Sequence, residues 1–570
     1  MSDRCPDPPT LSRRRLLGCL AALPAACVTG QGIVSFPRLP HAPRCYVGTG
    51  DDAVCQEVLW SYNRMQHCLA TVFRPRSCQE LAYVLRALRD RGVRVTFRGG
   101  GNSLDSQALN GQAVVILDLA MKGMDIETHG SERVLRVGGG ALWGEILAFT
   151  ASRGLVPWSM PSSSVIRVGG SISANAFSRL TAATGREQRY LLAFTLMTLD
   201  GEMHHCSAAS PRGSLECELF AAVPGSLGYL GIVIEARYRL RPLADPGTPL
   251  GVRTHTTFVE IGLLADQSAT MSTEARRAAE RQRAAAAQDA LAALVARLQH
   301  WRDELVEARR DGDESADRDG SYATIFWARD PSRSVRASFA TVNYVTGTPR
   351  ACDRSMLNHR DSYLRLIGGF GFAEPGTEAS IQDLWWLGSS HCQPTYNLDP
   401  VEDFTFFQDA NTRAQNAVED TWRLTATEEA YCVPWDAAMP FLVELDAVVR
   451  AHVHFPSLVD LLYAPKDLEW QPGMRHPLSA TADGDALVVT VAYLDRNGER
   501  WECTRAVYRA LASSCARYGG KIYLAKTVEA EPADLRTMYA AGAQRIRELK
   551  SRVDPRGLIA NEFWDRVLAP

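Results

Sequence analysis

Val93-Arg94-Val95-Thr96-Phe97-Arg98-Gly99-Gly100-Gly101-Asn102-Ser103 passes from alternating apolar and polar residues straight into three glycines. Alternation with a period of two predicts a strand with one buried face. Glycines at a strand's end let the backbone approach a ligand closely and adopt positive φ, so N–H groups can converge on a diphosphate. A second patch of the same character follows, Pro161-Ser162-Ser163 and then Gly169-Gly170-Ser171-Ile172-Ser173. Neither is a G-x-G-x-x-G, so a Rossmann nicotinamide site is not supported. Each cluster alone is a weak signal, because many such clusters are simply tight turns.

The flanks make an α/β unit of this region. Upstream, Ser77-Cys78-Gln79-Glu80 is a capping box, and Leu81, Val84, Leu85 and Leu88 recur at helical spacing until Gly92. Downstream, strands are expected at 114–119 and 134–137, then Gly138-Gly139-Gly140 and a helix ending at Gly154. Further strands are expected at 190–199 and 232–240, with a turn at Asp200-Gly201 between them, and 242–249 reads as a linker. Residues 270–310 are rich in Ala, Arg and Glu, with Leu291, Leu294, Val295, Leu298, Trp301 and Leu305 on one face, which predicts a long amphipathic helix or a helical pair. The acidic run 311–319 fails as a calcium loop, because Ala316 and Tyr322 stand where Gly and a bidentate Glu are needed. Residues 321–526 alternate strand-like and helical runs, with Lys521 to Ala525 as one strand, and a final helix is expected over Pro532 to Val553, stopped by Asp554-Pro555.

At 570 residues the chain exceeds one hydrophobic core, so two or more domains are expected. A net charge of -3 without a basic block argues against nucleic acid as partner. The 14 cysteines show no C-x-x-C spacing, so no metal site is expected. Cys45, Cys55, Cys68 and Cys78 are read equally well as bridges and as isolated thiols. Ser12-Arg13-Arg14-Arg15-Leu16-Leu17 and the short apolar run to Val28 resemble a twin-arginine signal. Periplasmic or exported localisation follows from that reading, with Cys27 as a possible lipid anchor, and no spanning helix is expected after the signal.

Taken in order, the motifs resemble one family. The series is Phe73-Arg74-Pro75-Arg76-Ser77, the loop ending in Asn102-Ser103, Asn110-Gly111, Pro161-Ser162-Ser163, Gly169-Gly170, Thr198-Leu199-Asp200-Gly201, Leu219-Phe220, and Gly225, Gly228 and Gly231-Ile232-Val233. It resembles the vanillyl-alcohol oxidase (PCMH) type of FAD-linked oxidases, and within it the decaprenylphosphoryl-β-D-ribose 2′-oxidases. Gly519-Gly520-Lys521-Ile522-Tyr523-Leu524-Ala525-Lys526 and Val553-Asp554-Pro555-Arg556 resemble the closing segment of the latter. The likeness covers 69–243 and 515–566 and is faint between.

The resemblance implies an α+β fold, with a two-subdomain FAD-binding domain and an α+β substrate domain. The implied organisation is a signal peptide at 1–30, an opening segment at 31–68, the FAD domain at 69–243, the substrate domain at 244–526 with a helical insertion at 270–310, and a C-terminal segment at 527–570 returning to the FAD domain. It assigns Arg98, Gly99, Gly100, Gly101, Asn102, Ser103, Pro161, Ser162, Ser163, Gly169, Gly170, Ser173, Gly228 and Ile232 to the cofactor, and Lys526 to catalysis. An ammonium at Lys526 would stabilise negative charge developing beside the flavin. Asn102 and Ser163 replace the His and Cys that tether FAD in parts of the family, so non-covalent FAD is expected. Phe177 replaces a His of the ribose oxidases, which sets a shared substrate apart. Glu428, Tyr431, His454, Tyr523 and the Trp385-Trp386 pair are candidates for proton relay or sugar contact, each with a structural alternative. The implied reaction is oxidation of a C–OH group in a sugar, polyol or lipid-linked sugar, with a partner reductase or another electron acceptor. A flavoenzyme acting on a C=C bond or a natural product, or a flavin-free binding protein, remains the alternative.

Overall fold

Strand β1 (Val54–Trp60) pairs antiparallel with β2 (His67–Phe73), so the chain joins its first sheet before residue 69. The computed structural model describes residues 54–117, 121–262, 272–310, 319–327, 334–346, 397–401, 405–406, 424–452, 456–496 and 500–569. The signal segment, Cys27, Cys45, Trp385-Trp386 and His454 lie outside them. Helix α1 (Cys78–Asp90) starts where the cap predicts, with Ser77 Oγ accepting from the Glu80 N–H at 3.2 Å. It buries Leu81, Val84, Leu85 and Leu88 against strands β3 (Val95–Phe97) and β4 (Ala113–Val115). The order β1-β2-β4-β3, with β2, β4 and β3 parallel, completes the first subdomain.

The second subdomain is an antiparallel sheet around one long strand. β5 (Met124–His129), β6 (Glu132–Gly138), β8 (Leu191–Met197), β9 (Met203–Ser207) and β10 (Ile232–Pro242) run in the order β5-β6-β10-β8-β9, and β7 (Leu155–Pro157) adds to the end of β10. Helices α2 (Trp143–Ala151), α3 (Val168–Ala174) and α4 (Leu215–Ala222) complete it. His204 and His205 lie on β9, the first partly covered beside Glu216 and the second exposed.

A third sheet, of eight antiparallel strands, occupies the region expected to be the substrate domain. Its strands are β11 (Leu250–Gly262), β12 (Gly320–Trp327), β13 (Ser334–Thr346), β14 (Asn397–Pro400), β15 (Leu424–Pro434), β16 (Leu458–Ala464), β17 (Ala486–Arg496) and β18 (Lys521–Ile522), in the order β14-β11-β13-β12-β16-β17-β15-β18. The segment 273–310 is one continuous helix, α5 (Thr273–Arg310), not a pair. Period-two alternation gives this sheet two unlike faces. Tyr431, Val459, Leu461, Val489 and Tyr493 pack on α6 (Ala438–His452) and α7 (Trp501–Arg517), with the Tyr431 and Phe441 rings 5.6 Å apart and Tyr493 and Tyr508 5.7 Å apart. The opposite face carries small side chains, Ala430, Ala464 and Ala486, and meets Phe177, Tyr523 and Ala525.

Helix α8 (Pro532–Val553) has the bounds its periodicity predicts, and the residues after it return to the first subdomain. Val95 N–H donates to Leu558 O at 2.8 Å and Ala560 N–H to Val95 O at 3.2 Å. Asn561, 3% exposed, donates to the carbonyls of Ser106 and Gln107 and accepts from Tyr229 Oη at 2.7 Å. A buried amide with its hydrogen bonds made specifies a docking position sharply, because an unmade buried bond costs about 1–3 kcal/mol. Among the described residues, no helix is long and apolar enough to cross a membrane. Cys68 and Cys78 carry free thiols, and burial pushes Cys68 up to about 11.

Candidate functional site

The two glycine patches meet. A cleft between the subdomains is lined by Arg98, Gly99 and Ser103 on one side and by Gly169, Gly170 and Ser173 on the other, with Gly139, Arg167, Leu227, Gly228, Ile232 and Ala525 around them. A Cβ on Gly99 would stand 3.4 Å from the Gly170 Cα, so the loops approach backbone to backbone. Gly100 is tighter: its Cβ would fall 2.2 Å from Val165 O. Gly101 adopts φ +76° and Gly228 φ +82°, the left-handed region that favours glycine.

This cleft fits a diphosphate. Among the described residues, the N–H groups of Gly99, Gly100, Gly101, Asn102, Ser103 and Gly170 donate to no protein acceptor. The Asn102 Nδ2 is also buried without a partner. Successive N–H groups in a turn form an anion-binding concavity, and this one is open to a ligand, with Gly100 exposed and the residues beside it half-buried. Arg98, expected at the cofactor, lines the cleft and also braces the loop: its guanidinium donates to Trp60 O at 2.8 Å and Ala108 O at 3.3 Å. Gly100, Gly101 and Asn102 complete the loop between the lining residues Gly99 and Ser103, and Pro161, Ser162 and Ser163 lie outside the lining, on the loop that brings Val165 O against Gly100. Gly139, Arg167 and Leu227 line it and were not assigned from sequence. Leu227 is notable at φ +55°, a strained conformation for a bulky residue, placed at the cleft.

Behind α3 lies a buried acid that sequence reasoning missed. Glu187, 2% exposed, accepts from Ser171 Oγ at 2.9 Å and from Tyr238 Oη, and Trp143 Nε1 donates to that same Ser171 oxygen at 2.8 Å. Burial pushes its carboxyl up to about 7, against those hydrogen bonds and the Arg186 charge. A carboxyl raised in the fold favours the folded state while protonated, and that contribution is lost as pH rises through about 7. Glu187→Gln is therefore expected to stabilise the protein at pH 8.5 by up to about 3 kcal/mol and to change little at pH 5. Urea midpoints at the two pH values check this; parallel pH profiles for both proteins would remove Glu187 as the cause.

Lys526 follows Ala525, which lines the cleft. The expected strand 521–525 is shorter: Lys521–Ile522 is the strand, Tyr523 N–H still donates to Ala430 O on β15 at 2.8 Å, and the chain then turns, with Lys526 N–H donating to Tyr523 O at 3.2 Å. That turn is tied to the flavin side by Gln107, whose Nε2 donates to Leu524 O at 2.8 Å and Lys526 O at 2.7 Å. The Lys526 ammonium pairs with Glu428, with the two side chains 21% and 17% exposed. Asp460, held by Thr324 Oγ1 at 2.8 Å, feels the charges of Arg179, Glu428 and Lys526. Burial pushes Asp460 up, Arg179 and Lys526 pull it down, and the net direction is up. The Arg179 guanidinium lies 4.3 Å over the Tyr322 ring. Two cations and two carboxylates thus gather at the sheet face that meets the cleft. Of the sequence candidates, Glu428 joins this group and Tyr523 packs edge-on to Phe177 at 4.9 Å. Tyr431 points into the core and donates to Glu429 at 2.8 Å. Asp460 and Arg179 carried no motif.

Residues 69–207 match the family model described as FAD binding domain, and residues 383–567 match the one described as D-arabinono-1,4-lactone oxidase. With the α+β fold and the glycine cleft, the first match gives the chain an FAD-binding domain. The chain is similar to cytokinin dehydrogenase 1 of Arabidopsis thaliana, 32% identical over 32% of this chain and 31% of the relative. It is also similar to cytokinin dehydrogenase 1 of Oryza sativa subsp. japonica, 32% identical over 30% of this chain and 33% of the relative. An uncharacterised oxidoreductase in the fasciation locus of Rhodococcoides fascians is 26% identical over 29% of this chain and 36% of its own length. The chain spans about a third of the length of the curated relatives it matches. These findings support the FAD-linked oxidases as a group and not the ribose oxidases within it.

Proposed function

We propose that the chain is an FAD-dependent oxidoreductase that oxidises a C–OH group of a sugar, polyol or lipid-linked sugar. The observation that carries this is the Lys526–Glu428 pair, close enough to Asp460 to act on its charge, on a turn that Gln107 ties through the Leu524 and Lys526 carbonyls next to the cleft residue Ala525. Bound FAD would supply the two-electron acceptor for the hydride taken from the substrate carbon, while the hydroxyl proton goes to a base. The N–H groups of Gly99 to Ser103 and of Gly170 would hold its diphosphate. Alcohol oxidation needs a cation for the developing oxyanion and an acceptor for its proton. Lys526 supplies the first. Asp460, its carboxyl raised by burial, is placed for the second, and Arg179 and Thr324 offer donors to further hydroxyls. The lactone-oxidase model covers the stretch that contains Glu428, Asp460 and Lys526, which favours an oxygenated, sugar-like substrate.

The likeness to cytokinin dehydrogenases supports a second reading, oxidation of another natural product on the same scaffold. Folded export through the twin-arginine route belongs to the proposal and rests on Ser12-Arg13-Arg14-Arg15-Leu16-Leu17. The test is an absorption spectrum before and after acid precipitation, followed by anaerobic mixing with polyols, sugars and sugar lactones. Flavin bands that move to the supernatant and bleach with an alcohol substrate are expected. Protein that stays colourless after incubation with FAD would overturn the proposal, and bleaching confined to non-alcohol substrates would establish the second reading.

A further inference from the structure

A groove of about 830 Å³ opens between α4, the loop from Gln471 to Pro477 and α8, closed at one end by Gly519-Gly520-Lys521. It shares no lining residue with the flavin cleft. Its size falls in the range of small-molecule sites, about 300–1,000 Å³. Its walls are also fixed in advance. Gln471 Nε2 donates to the carbonyls of Ala208 and Ser210 at 2.9 and 3.0 Å, and His476 Nδ1 bonds Ala221 O at 2.7 Å. Gly542 lets α8 touch the loop directly, since a Cβ there would fall 2.0 Å from Pro477 O.

The lining has two parts. Ala221, Met474, Met538, Ala540 and Ala541 give an apolar surface, with Ala540 and Ala541 exposed to the open space. Around it stand Arg212, Arg475, Lys521 and Arg545 against only Glu218 and Asp483. Each carboxylate is already shared between two cations. Asp483 meets Lys521 at 2.6 Å and Arg475 at 3.6 Å, Glu218 meets Arg545 at 3.0 Å and also Arg552, and Arg545 in turn meets Glu548 at 3.2 Å, while Arg212 has no carboxylate partner among the described residues. The rim therefore keeps an excess of positive charge over an apolar floor, and the complement is an apolar body bearing an acid group.

We propose that this groove is a second binding site, for a small apolar molecule that carries a carboxylate, phosphate or sulfonate. The test titrates the purified full chain with 8-anilinonaphthalene-1-sulfonate and with its uncharged parent, N-phenyl-1-naphthylamine, following fluorescence. Saturable one-to-one binding of the sulfonate is expected, at least about tenfold tighter than the parent and weakened by salt. Ala541→Trp, on the exposed wall, is expected to weaken it at least about tenfold with the absorbance spectrum unchanged, and Arg212→Glu to weaken it several-fold. Unsaturable binding, equal affinity for the uncharged parent, or one-to-one binding untouched by Ala541→Trp would overturn the proposal.

Discussion

Lys526→Met is expected to lower turnover by about 10²–10³-fold while flavin content stays the same, the scale of removing one preorganised group from a developing charge. Methionine keeps a long flexible stem and loses only the ammonium. The backbone ties from Gln107 to the Leu524 and Lys526 carbonyls survive the change, so the turn beside Ala525 keeps its place. A structural explanation competes, because Lys526 also neutralises Glu428. The double variant Lys526→Met with Glu428→Gln separates the two. If neutralisation were the whole role, the double variant would recover; direct action on the substrate oxygen leaves it as slow as the single variant. A turnover within about threefold of the wild type for Lys526→Met, set against that 10²–10³-fold expectation, would remove Lys526 from the chemistry.

Gly100→Ala is expected to weaken FAD binding by at least about 100-fold, or about 2.7 kcal/mol. The added methyl carbon would lie 2.2 Å from Val165 O and 2.7 Å from Asn102 Nδ2. The first of these is backbone and cannot swing aside, so either the 98–103 loop or the loop at Val165 must move. Both movements scatter the N–H groups that the cleft brings together. Gly111→Ala is the control, since nothing lies within 4 Å of its Cβ and its binding is expected to match the wild type. Flavin content after purification and titration of the apoprotein measure both. Full affinity in Gly100→Ala would show that the diphosphate is held elsewhere.

The elements legible in the sequence were those whose signal is local. Ser77 and Glu80 announced α1, and apolar spacing announced α8 to the residue at each end. Others carried a weak or opposite signal. β15 holds Glu428 and Glu429 in mid-strand, and charge in a buried strand reads as loop until the partners of each carboxylate are known. Its two glutamates point to opposite faces, one to Lys526 and the other to Tyr431 in the core, where burial pushes Glu429 up to about 8. β1 lay in a segment without clear alternation, and pairing with β2 makes it a strand. Gln107, Glu187 and Asp460 had no motif to mark them, because their roles come from contacts with Lys526, Ser171 and Thr324, distant in the chain.

By itself the sequence determined the two glycine patches and helices α1 and α8, and through the resemblance it carries it raised the expectations of an α+β class, of Lys526 beside the flavin and of Asn102 and Ser163 in place of a tethering His and Cys. Backbone freedom, capping and periodicity are properties of neighbouring residues, and they can be read without a fold. Only the tertiary structure decided that Gly99 faces Gly170, that Arg98 braces the loop, and that Lys526 stands with Glu428, Arg179 and Asp460. Those facts depend on which faces of three sheets meet, and on burial that sets the charge of each group where they do.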